Sequence, residues 1–362
     1  MNVILAGGSG APNYGDELIL RNWLSYLADT HPTYSVHIEG TSSKGLKATS
    51  SLYSDGYSYS TSLLSVANEK PNLGFFEHVK RGIRFIDHKV YRSHYLTKKI
   101  SNQITQADVF HLHGGGYMND MWPHFGFLFG VGVALNKCYG TKFVCTGLGV
   151  TPLSVETEDQ KNILRTIMYS ADVFGVRDPF GVDELTRMTG LSPFQDVDDA
   201  FLQKVKTRAY FPDKRVMHVV TYDWVMKINN NLIELIKKEA KGHDQICIWE
   251  CAPSHDRVAI QMLQGLPMPT ELIRVGSLLD DGLPFSNNHS IFTSRFHPAL
   301  QISRLGGHVI TNYNGDYYSD KHRSIECLGS KVGGTNNTLL KKRNLVLSEL
   351  KRAQAEYIYS TA

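Results

Sequence analysis

The segment Ser290-Ile291-Phe292-Thr293-Ser294-Arg295-Phe296-His297 joins a short apolar strand to the beginning of a helix, which we expect to continue over Pro298–Leu305. An Arg and a His that a strand delivers to a helix N-terminus suit an anion site. The guanidinium can donate two parallel hydrogen bonds to a phosphate or a carboxylate, and the imidazole can transfer a proton near neutral pH. The alternative stays open that Arg295 pairs with a core acid and that His297 is a satisfied buried histidine.

The same pattern of an apolar strand followed by an amphipathic helix recurs along the chain and predicts an α/β fold with parallel sheets and right-handed crossovers. The predicted strands are Val3–Ala6, Tyr34–Ile38, Asp108–Leu112, Lys142–Thr146, Val173–Val176, Val216–Thr221, Gln245–Glu250, Leu272–Val275, Ser290–Thr293 and His308–Thr311. The predicted helices include Asp16–Ala28, Phe125–Lys137, Glu156–Ser170, Pro179–Thr189, Val225–Lys241, His255–Leu263 and Leu339–Ile358.

A polar, proline-containing stretch, Leu202–Asp213, separates two such series and predicts two Rossmann-like domains. We expect an N-terminal domain at 1–205, a C-terminal domain at 206–338, and a final helix at 339–362 that packs back on the junction. Two doubly wound domains that face each other place a ligand in a cleft at the carboxyl ends of the strands.

Composition and charge describe an ordinary globular chain, with 42% hydrophobic and 20% charged residues and a formal net charge of +3. So small a net charge argues against nucleic-acid binding, which usually needs a clustered basic face. The one basic cluster, Lys80–Lys99, fits either a solvated helix face or a peripheral contact with anionic lipid headgroups or a lipid-linked diphosphate.

The N-terminal residues lack the basic region and the apolar length of a signal peptide, and no run of apolar residues approaches a membrane span. These features predict a cytoplasmic protein, with peripheral contact at the inner face of the membrane as an option. The polar stretch Thr41–Ser65 is predicted to be a long loop or a small excursion that recognises a large substrate.

Further polar signatures follow predicted strands. Asn13-Tyr14-Gly15-Asp16-Glu17 leads into the first helix with acids in its first turn, and Gly114-Gly115-Gly116 offers successive N–H groups to an anion, although such triplets also make tight turns. Arg177 precedes a helix as either a phosphate clamp or a salt-bridge partner of its neighbour. Lys321, which we place at a helix start, is either a phosphate contact or a surface residue.

Taken together, these motifs resemble those of the polysaccharide pyruvyl transferase family. The matching segments are Asn13-Tyr14-Gly15-Asp16-Glu17-Leu18-Ile19, Gly114-Gly115-Gly116, Gly175-Val176-Arg177-Asp178, Asp198-Asp199-Ala200-Phe201, Ser294-Arg295-Phe296-His297 and Tyr318-Ser319-Asp320-Lys321. They come in the family's order and extend over roughly residues 4 to 330. Phe296 and Pro298 stand where many relatives carry Leu and Ala.

The resemblance implies two Rossmann-like domains arranged as in GT-B glycosyltransferases. It also implies transfer of pyruvate from phosphoenolpyruvate onto two hydroxyls of a sugar as a ketal, in the biosynthesis of an exopolysaccharide or cell-surface glycan. In the family, phosphoenolpyruvate is held by the arginine before the helix and by the Arg-x-His pair, which are Arg177, Arg295 and His297 here. The acceptor is a saccharide or a lipid-linked oligosaccharide.

From the chemistry of the donor we assign His297 to proton transfer or to the departing phosphate, and Asp16 or Glu17 to the sugar hydroxyl. Lys321 and Gly114–Gly116 are predicted to assist donor binding, and Asn13, Tyr14 and Asp16 to contact the acceptor. The C-terminal domain is the expected donor side and the N-terminal domain the expected acceptor side. We expect neither a cofactor nor a metal, because Arg, His and Lys can balance the donor's charge.

Two other functions stay open. A GT-B-like glycosyltransferase would use Arg295 and Lys321 to hold the diphosphate of a nucleotide sugar. A non-catalytic carbohydrate-binding protein would stack sugars on the aromatic region of Tyr53, Tyr57 and Tyr59.

Overall fold

The computed structural model describes residues 1–229, 231–312, 316–329 and 338–360, which form two compact units. Unit 1 comprises Met1–Ala11, Ile19–Leu202 and Glu349–Ala362, and unit 2 comprises Pro12–Leu18 and Gln203–Ser348. The first turn of the first helix therefore groups with unit 2, and the last helix is shared between the two units.

Unit 1 contains a parallel sheet of seven strands in the order β3-β2-β1-β4-β5-β6-β7. The strands are β1 Asn2–Ala6, β2 Ser35–Glu39, β3 Ser58–Ser60, β4 Val109–Leu112, β5 Lys142–Leu148, β6 Val173–Val176 and β7 Phe194–Gln195. The helices are α1 Tyr14–Thr30, α2 Ser43–Ser50, α3 Ser62–Asn68, α4 Phe75–Asp87, α5 Lys89–Tyr95, α6 Lys98–Thr105, α7 Gly126–Tyr139, α8 Glu158–Ser170 and α9 Pro179–Thr189, with 3-10 turns at Pro123–Phe125 and Asp199–Leu202.

Unit 2 contains a parallel sheet of five strands in the order β11-β10-β9-β13-β14 and a short parallel pair, β8 with β12. The strands are β8 Thr207–Arg208, β9 Val216–Val220, β10 Gln245–Trp249, β11 Thr270–Ile273, β12 Leu283–Pro284, β13 Ser290–Thr293 and β14 His308–Thr311. The helices are α10 Asp223–Ile228, α11 Leu232–Glu239, α12 Arg257–Gln264, α13 Val275–Asp280, α14 Phe296–Leu305, α15 Asp316–Cys327 and α16 Thr338–Ser360.

Both main sheets follow the doubly wound order in which the first strand lies beside the second on one side and the fourth on the other. Their central strands are apolar and almost completely buried, as expected when helices cover both faces of a parallel sheet. The predicted α/β class and the two Rossmann-like units are confirmed. That the units face each other across a cleft stays a prediction.

Glycines allow α4 and α7 to pack backbone against backbone in unit 1. A Cβ at Gly130 would lie 2.0 Å from the carbonyl oxygen of Val79, and one at Gly82 would lie 2.2 Å from that of Phe127. Since real Cβ atoms do not approach so closely, both positions require glycine. The predicted buried helix around Phe125–Lys137 is therefore correct, whereas the sequence did not show its partner helix.

The prediction of a long loop at Thr41–Ser65 is wrong. This segment forms α2, β3 and the beginning of α3, and β3 adds a parallel edge strand to β2. Ser and Thr favour helix caps as well as loops, and Ser42 caps α2 while Leu46 anchors that helix in the core.

Tyr53, Tyr57 and Tyr59 are partly buried against the apolar core of unit 1. These rings contribute to packing, and each keeps part of its surface exposed. The stacking role stays a prediction.

The predicted helix Val225–Lys241 is interrupted. It forms α10 and α11, and residue 230 lies outside the described residues. The predicted final helix is present as α16, one residue longer at its start and two at its end.

The basic cluster is divided among α4, α5 and α6. Six of its nine basic side chains are exposed: Arg84, His88, Lys89, His94, Lys98 and Lys99. Arg92 is buried instead, donates to the carbonyl of Ile86 and lies 3.2 Å from the hydroxyl of Tyr139. Most of the cluster is therefore exposed, with Arg92 as a structural exception, and its contact with anionic lipid stays a prediction. Among the described residues, no helix has the length and apolarity needed to cross a bilayer.

A buried network around Asp199 fixes the end of α16 in unit 1. The Asp199 carboxylate accepts from Trp23 Nε1, Gly114 N and Thr146 Oγ1, each at 2.7 Å, and its other oxygen lies 2.5 Å from Lys351 Nζ. Lys351 also reaches Asp196 at 2.8 Å. Burial opposes ionisation of Asp199, but the Lys351 ammonium and its hydrogen bonds lower the pKa of Asp199 overall. The pair is therefore charged and fully enclosed.

Replacing Lys351 by methionine should destabilise unit 1 strongly, because it leaves two buried carboxylates without their cation. We expect the free energy of unfolding to fall by about 3–5 kcal/mol, measured by urea denaturation. Lys342→Met, at an exposed position of the same helix, is the control and should change stability by less than about 0.5 kcal/mol. Equal effects of the two substitutions would contradict the role of the network.

Candidate functional site

The candidate site lies at the carboxyl edge of the unit 2 sheet, between β9 and β13. The strand order reverses at this point, and such switch points are where open α/β sheets bind ligands. Ser294, directly after β13, donates its backbone N–H to the carbonyl of Val220 at 3.0 Å. Its hydroxyl lies 3.2 Å from that of Thr221, directly after β9. These bonds fix the segment that carries Arg295 and His297.

Arg295 occupies the N-cap position of α14 and forms an ion pair with Asp256. The Asp256 side chain is fully buried and accepts backbone hydrogen bonds from Cys251 at 2.8 Å and from Ala252 at 2.7 Å. The Arg295 side chain keeps 17% exposure. The structure therefore confirms the alternative that Arg295 pairs with a core acid. The Arg295 side chain nevertheless remains partly exposed to solvent at the edge of the sheet.

Aromatic packing supports the same guanidinium. Its Cζ lies 5.1 Å from the ring centroid of Tyr222, a cation–π arrangement. Cys251, behind it, is buried, and burial raises the pKa of its thiol far above the ordinary value. Cys251 is therefore a packing residue rather than a nucleophile.

His297, in the first turn of α14, lies against the first turn of α1. A Cβ on Gly15 would lie 2.0 Å from His297 Nδ1, so only glycine allows the imidazole to occupy this place. The N–H of Tyr14 donates to the carbonyl of Cys251 at 2.8 Å, which ties the same turn to the β10 end. The sequence-predicted Asn13–Glu17 motif and His297 thus belong to one unit.

The predicted acceptor-side residues have different surroundings. Asp16 is half-buried, and Glu17 is 5% exposed. Asn13 accepts from the backbone N–H of Gly15 at 3.2 Å and so supports the beginning of α1. Tyr14 is only 3% exposed, and burial, with Cys251 nearby, raises the pKa of its hydroxyl. Its ring therefore packs inside unit 2 and offers almost no surface to an acceptor.

Lys321 lies in the second turn of α15 rather than at the helix start that the sequence suggested, and it is half-buried. Its neighbour His322 is buried, with Nε2 3.5 Å from the carbonyl of Ser294. Burial lowers the pKa of His322 to about 4, and Lys321 adds to that shift. A neutral histidine thus packs behind the segment that carries Arg295.

Arg177, in unit 1, is almost completely buried in a 2.9 Å ion pair with Asp198. Its sequence neighbour Asp178 has another role and caps α9 through Gly181 N at 2.7 Å. The salt bridge predicted as an alternative therefore exists, but with a residue 21 positions later. Whether Arg177 also contacts a donor stays a prediction.

The glycine triplet after β4 is used for tight packing. Gly114 N donates to Asp199, Gly115 O accepts from Gly149 N at 2.9 Å, and Gly116 O accepts from Asn119 at 2.6 Å. The Gly114 N–H is therefore already used by an internal carboxylate, as in the tight-turn alternative. A role of Gly115 and Gly116 in donor binding stays a prediction.

Sequence reasoning assigned no role to three residues of the unit 2 site: Asp256, Tyr222 and His322. Tyr222 and Asp256 follow β9 and β10, so their positions after strands were the available signal. His322 directly follows Lys321, which was singled out, but its contact with Ser294 depends on how α15 packs. Among the described residues, no group of three or more His, Cys, Asp or Glu is arranged to hold a metal ion.

The sequence of residues 13–246, nearly two thirds of the chain, matches the model of the family described as polysaccharide pyruvyl transferase. The chain belongs to the polysaccharide pyruvyl transferase family. The match includes the Asn13–Glu17 motif, Gly114–Gly116 and Arg177, whereas Arg295, His297 and Lys321 lie beyond it. No curated protein matches the sequence significantly.

Solved structures share the fold at low sequence identity. A putative UDP-N-acetylglucosamine 2-epimerase from Listeria monocytogenes is 15% identical, with a TM-score of 0.54 over 98% of this chain and 90% of that one. UDP-GlcNAc 2-epimerase from Neisseria meningitidis, bound to UDP-GlcNAc, is 13% identical, with a TM-score of 0.51 over 98% and 94%. MnaA from S. aureus, with UDP, is 14% identical, with a TM-score of 0.54 over 99% and 92%. These similarities confirm the GT-B-like fold class.

Removing Arg295 should destabilise unit 2, since Asp256 would remain buried without its cation. We expect Arg295→Ala to lower the free energy of unfolding by about 2–4 kcal/mol. The double variant Arg295→Ala with Asp256→Asn should recover part of that loss, because the amide carries no charge to bury. Urea denaturation followed by tryptophan fluorescence measures both. A double variant less stable than the single one would contradict the ion-pair assignment.

His322 should make stability depend on pH. Its pKa is lowered from 6.5 to about 4, so the folded state binds its proton less readily than the unfolded state. The stability that neutral His322 contributes is complete above pH 6.5 and is lost as the pH falls towards 4. Over this range the free energy of unfolding changes by up to about 1.4 kcal/mol per pH unit.

In His322→Leu, the fall in unfolding free energy between pH 6.5 and 4.5 should be smaller than in wild type. His255→Leu, at an exposed position of unit 2, is the control. Unchanged pH dependence in His322→Leu would show that His322 is not the titrating group.

Proposed function

We propose that this protein transfers the pyruvyl group of phosphoenolpyruvate onto two hydroxyls of a sugar and forms a ketal, in the biosynthesis of an exopolysaccharide or cell-surface glycan. The observation that carries the proposal is Arg295, fixed by Asp256 at the switch point of the unit 2 sheet with its side chain partly open to solvent. Membership of the pyruvyl transferase family supports it.

The donor carries a carboxylate and a phosphate, and both suit the groups around Arg295. The planar guanidinium presents a fork of N–H donors whose geometry matches that of a carboxylate or a phosphate. The N-terminus of α14, a helix of ten residues, is the positive end of the helix dipole and carries backbone N–H groups, and both favour a second anion. Lys321 is proposed to add charge on unit 2, and contact of Arg177, Gly115 and Gly116 with a donor stays a prediction.

The proposed reaction proceeds by addition and elimination. An acid protonates the methylene carbon of phosphoenolpyruvate, and the central carbon, now oxocarbenium-like, is attacked by one sugar hydroxyl, which gives up its proton. The bond from that carbon to the phosphate oxygen then breaks and inorganic phosphate leaves. The second hydroxyl adds to the same carbon and loses its proton. The products are the ketal and phosphate, so atoms and charge balance without an oxidant or a further reactant.

His297 is the proposed proton donor, or the group that stabilises the departing phosphate. His297 lies against the first turn of α1 at Gly15, and the same turn carries Asp16 and Glu17. Either acid is proposed as the base for the sugar hydroxyl. Asp16 is the more accessible of the two, since Glu17 is 5% exposed.

We further propose a lipid-linked or free saccharide as the acceptor and a cytoplasmic location. Four exposed lysine and arginine side chains, Arg84, Lys89, Lys98 and Lys99, support peripheral contact with an anionic membrane surface, because lysine and arginine near such a surface are attracted to it. The alternative is that the protein binds a nucleotide sugar, as the epimerase from Neisseria meningitidis does in its structure with UDP-GlcNAc.

Calorimetric titration with phosphoenolpyruvate tests donor binding. We expect a dissociation constant between micromolar and millimolar for wild type. Arg295→Lys keeps the charge that Asp256 needs but loses the planar fork, so we expect at least about tenfold weaker binding in a folded protein. UDP and GDP are titrated in parallel. Selective nucleotide binding without phosphoenolpyruvate binding would replace this proposal by glycosyl transfer.

Phosphate release in the presence of phosphoenolpyruvate and saccharide acceptors tests the chemistry. His297→Ala should lower turnover by about 100-fold or more while the affinity for phosphoenolpyruvate changes less. A variant that keeps turnover within about tenfold of wild type would remove His297 from the proton-transfer step.

A further inference from the structure

An exposed tryptophan lies close to the anion site on unit 2. Trp224 is the second residue of α10, the helix that begins directly after β9, and 48% of its surface is accessible. Covering a large apolar side chain at a protein surface is favourable because it removes apolar area from water. An exposed indole beside a polar site is therefore a common ligand contact.

The residue before Trp224, Asp223, is fixed by two hydrogen bonds. The N–H of Asp223 donates to the carbonyl of His255 at 2.8 Å, and the Asp223 carboxylate accepts from Ala259 N at 2.9 Å. The same β10–α12 connection carries Asp256, which holds Arg295. One loop therefore positions both the guanidinium and the indole.

Tyr222 contacts both Trp224 and Arg295. The Trp224 and Tyr222 rings are nearly parallel, with an interplanar angle of 15° and centroids 6.3 Å apart. Arg295 Cζ lies 5.1 Å from the Tyr222 centroid. The indole centroid is thus at most about 11.4 Å from the guanidinium carbon, a distance that a hexose ring and a bound three-carbon donor can together span.

The chemistry of these neighbours favours a sugar ring as the occupant. An indole face packs on the C–H face of a pyranose, and the hydroxyls at the ring edge remain free to meet polar groups. A diol whose ring lies on Trp224 would be within about 11.4 Å plus a ring's width of the guanidinium that is proposed to hold the anion.

We propose that Trp224 is the platform for the acceptor saccharide, and that it holds a pyranose whose hydroxyl pair receives the pyruvyl group. This inference rests on the proposed function for the identity of the donor, but the sugar contact itself is independent of that donor. It assigns acceptor recognition to an aromatic side chain of unit 2, in addition to the residues at the beginning of α1.

The test uses the full chain and methyl pyranosides of glucose, galactose, mannose and N-acetylglucosamine with free 4- and 6-hydroxyls. Saturation-transfer NMR, without and with phosphoenolpyruvate, reports sugar binding, and calorimetry reports phosphoenolpyruvate binding. Trp224→Ala should weaken saccharide binding by about tenfold or more, the usual size of an aromatic contact, and Trp224→Phe should restore most of it. Tyr169→Ala, at an exposed aromatic position of unit 1, is the control.

Affinity for phosphoenolpyruvate separates this proposal from the proposed function. In Trp224→Ala it should stay within about twofold of wild type, whereas in Arg295→Lys it falls. Wild type that binds saccharide through Trp224 but not phosphoenolpyruvate would overturn the donor assignment alone. Trp224→Ala with unchanged saccharide binding, no saccharide binding in wild type, or equal loss of saccharide and phosphoenolpyruvate would overturn the platform. Contact of UDP instead of sugar with Trp224 would overturn it as well.

Discussion

The carboxylate of Asp199, buried in unit 1, is the interaction on which the rest of that unit depends. It accepts from the end of β4 through Gly114, from β5 through Thr146 and from α1 through Trp23, and it pairs with Lys351 of the last helix. A charge removed from water needs all of these partners, since any missing one would leave a desolvated group uncompensated. The carboxyl edge of the sheet is therefore fixed by one group.

Unit 2 uses a similar ion pair at its own sheet edge, but the cation of that pair is partly exposed to solvent. Asp256 is buried and held by two backbone N–H groups, as a structural carboxylate would be, yet its partner Arg295 extends to the surface. A buried anion that orients a partly exposed cation gives a guanidinium with a fixed direction at low entropic cost. Preorganisation of this kind is what an enzyme needs to bind a small dianion.

Much of the fold could be predicted because apolar strands and helix signals are local. The bounds of β6, β13, β14 and α9 are the predicted ones, since each is a short apolar run or a capped helix bounded by polar residues. The segment Thr41–Ser65 could not be predicted, because its Ser and Thr residues suit caps and loops equally. Of the candidate site, sequence identified Arg295 and His297 but not Asp256, whose pairing joins positions 39 residues apart.

The sequence by itself determined the α/β class, the motifs after the strands and the family. Strand period, glycine turns and charged residues at strand ends each depend only on residues that are close together in the sequence. Only the tertiary structure decided which charges are used internally. It placed Arg177 against Asp198, Gly114 N against Asp199 and His297 against Gly15. The physical reason is that burial and pairing depend on neighbours brought together from distant parts of the chain, and these decide whether a charged group stabilises the fold or remains available to a ligand.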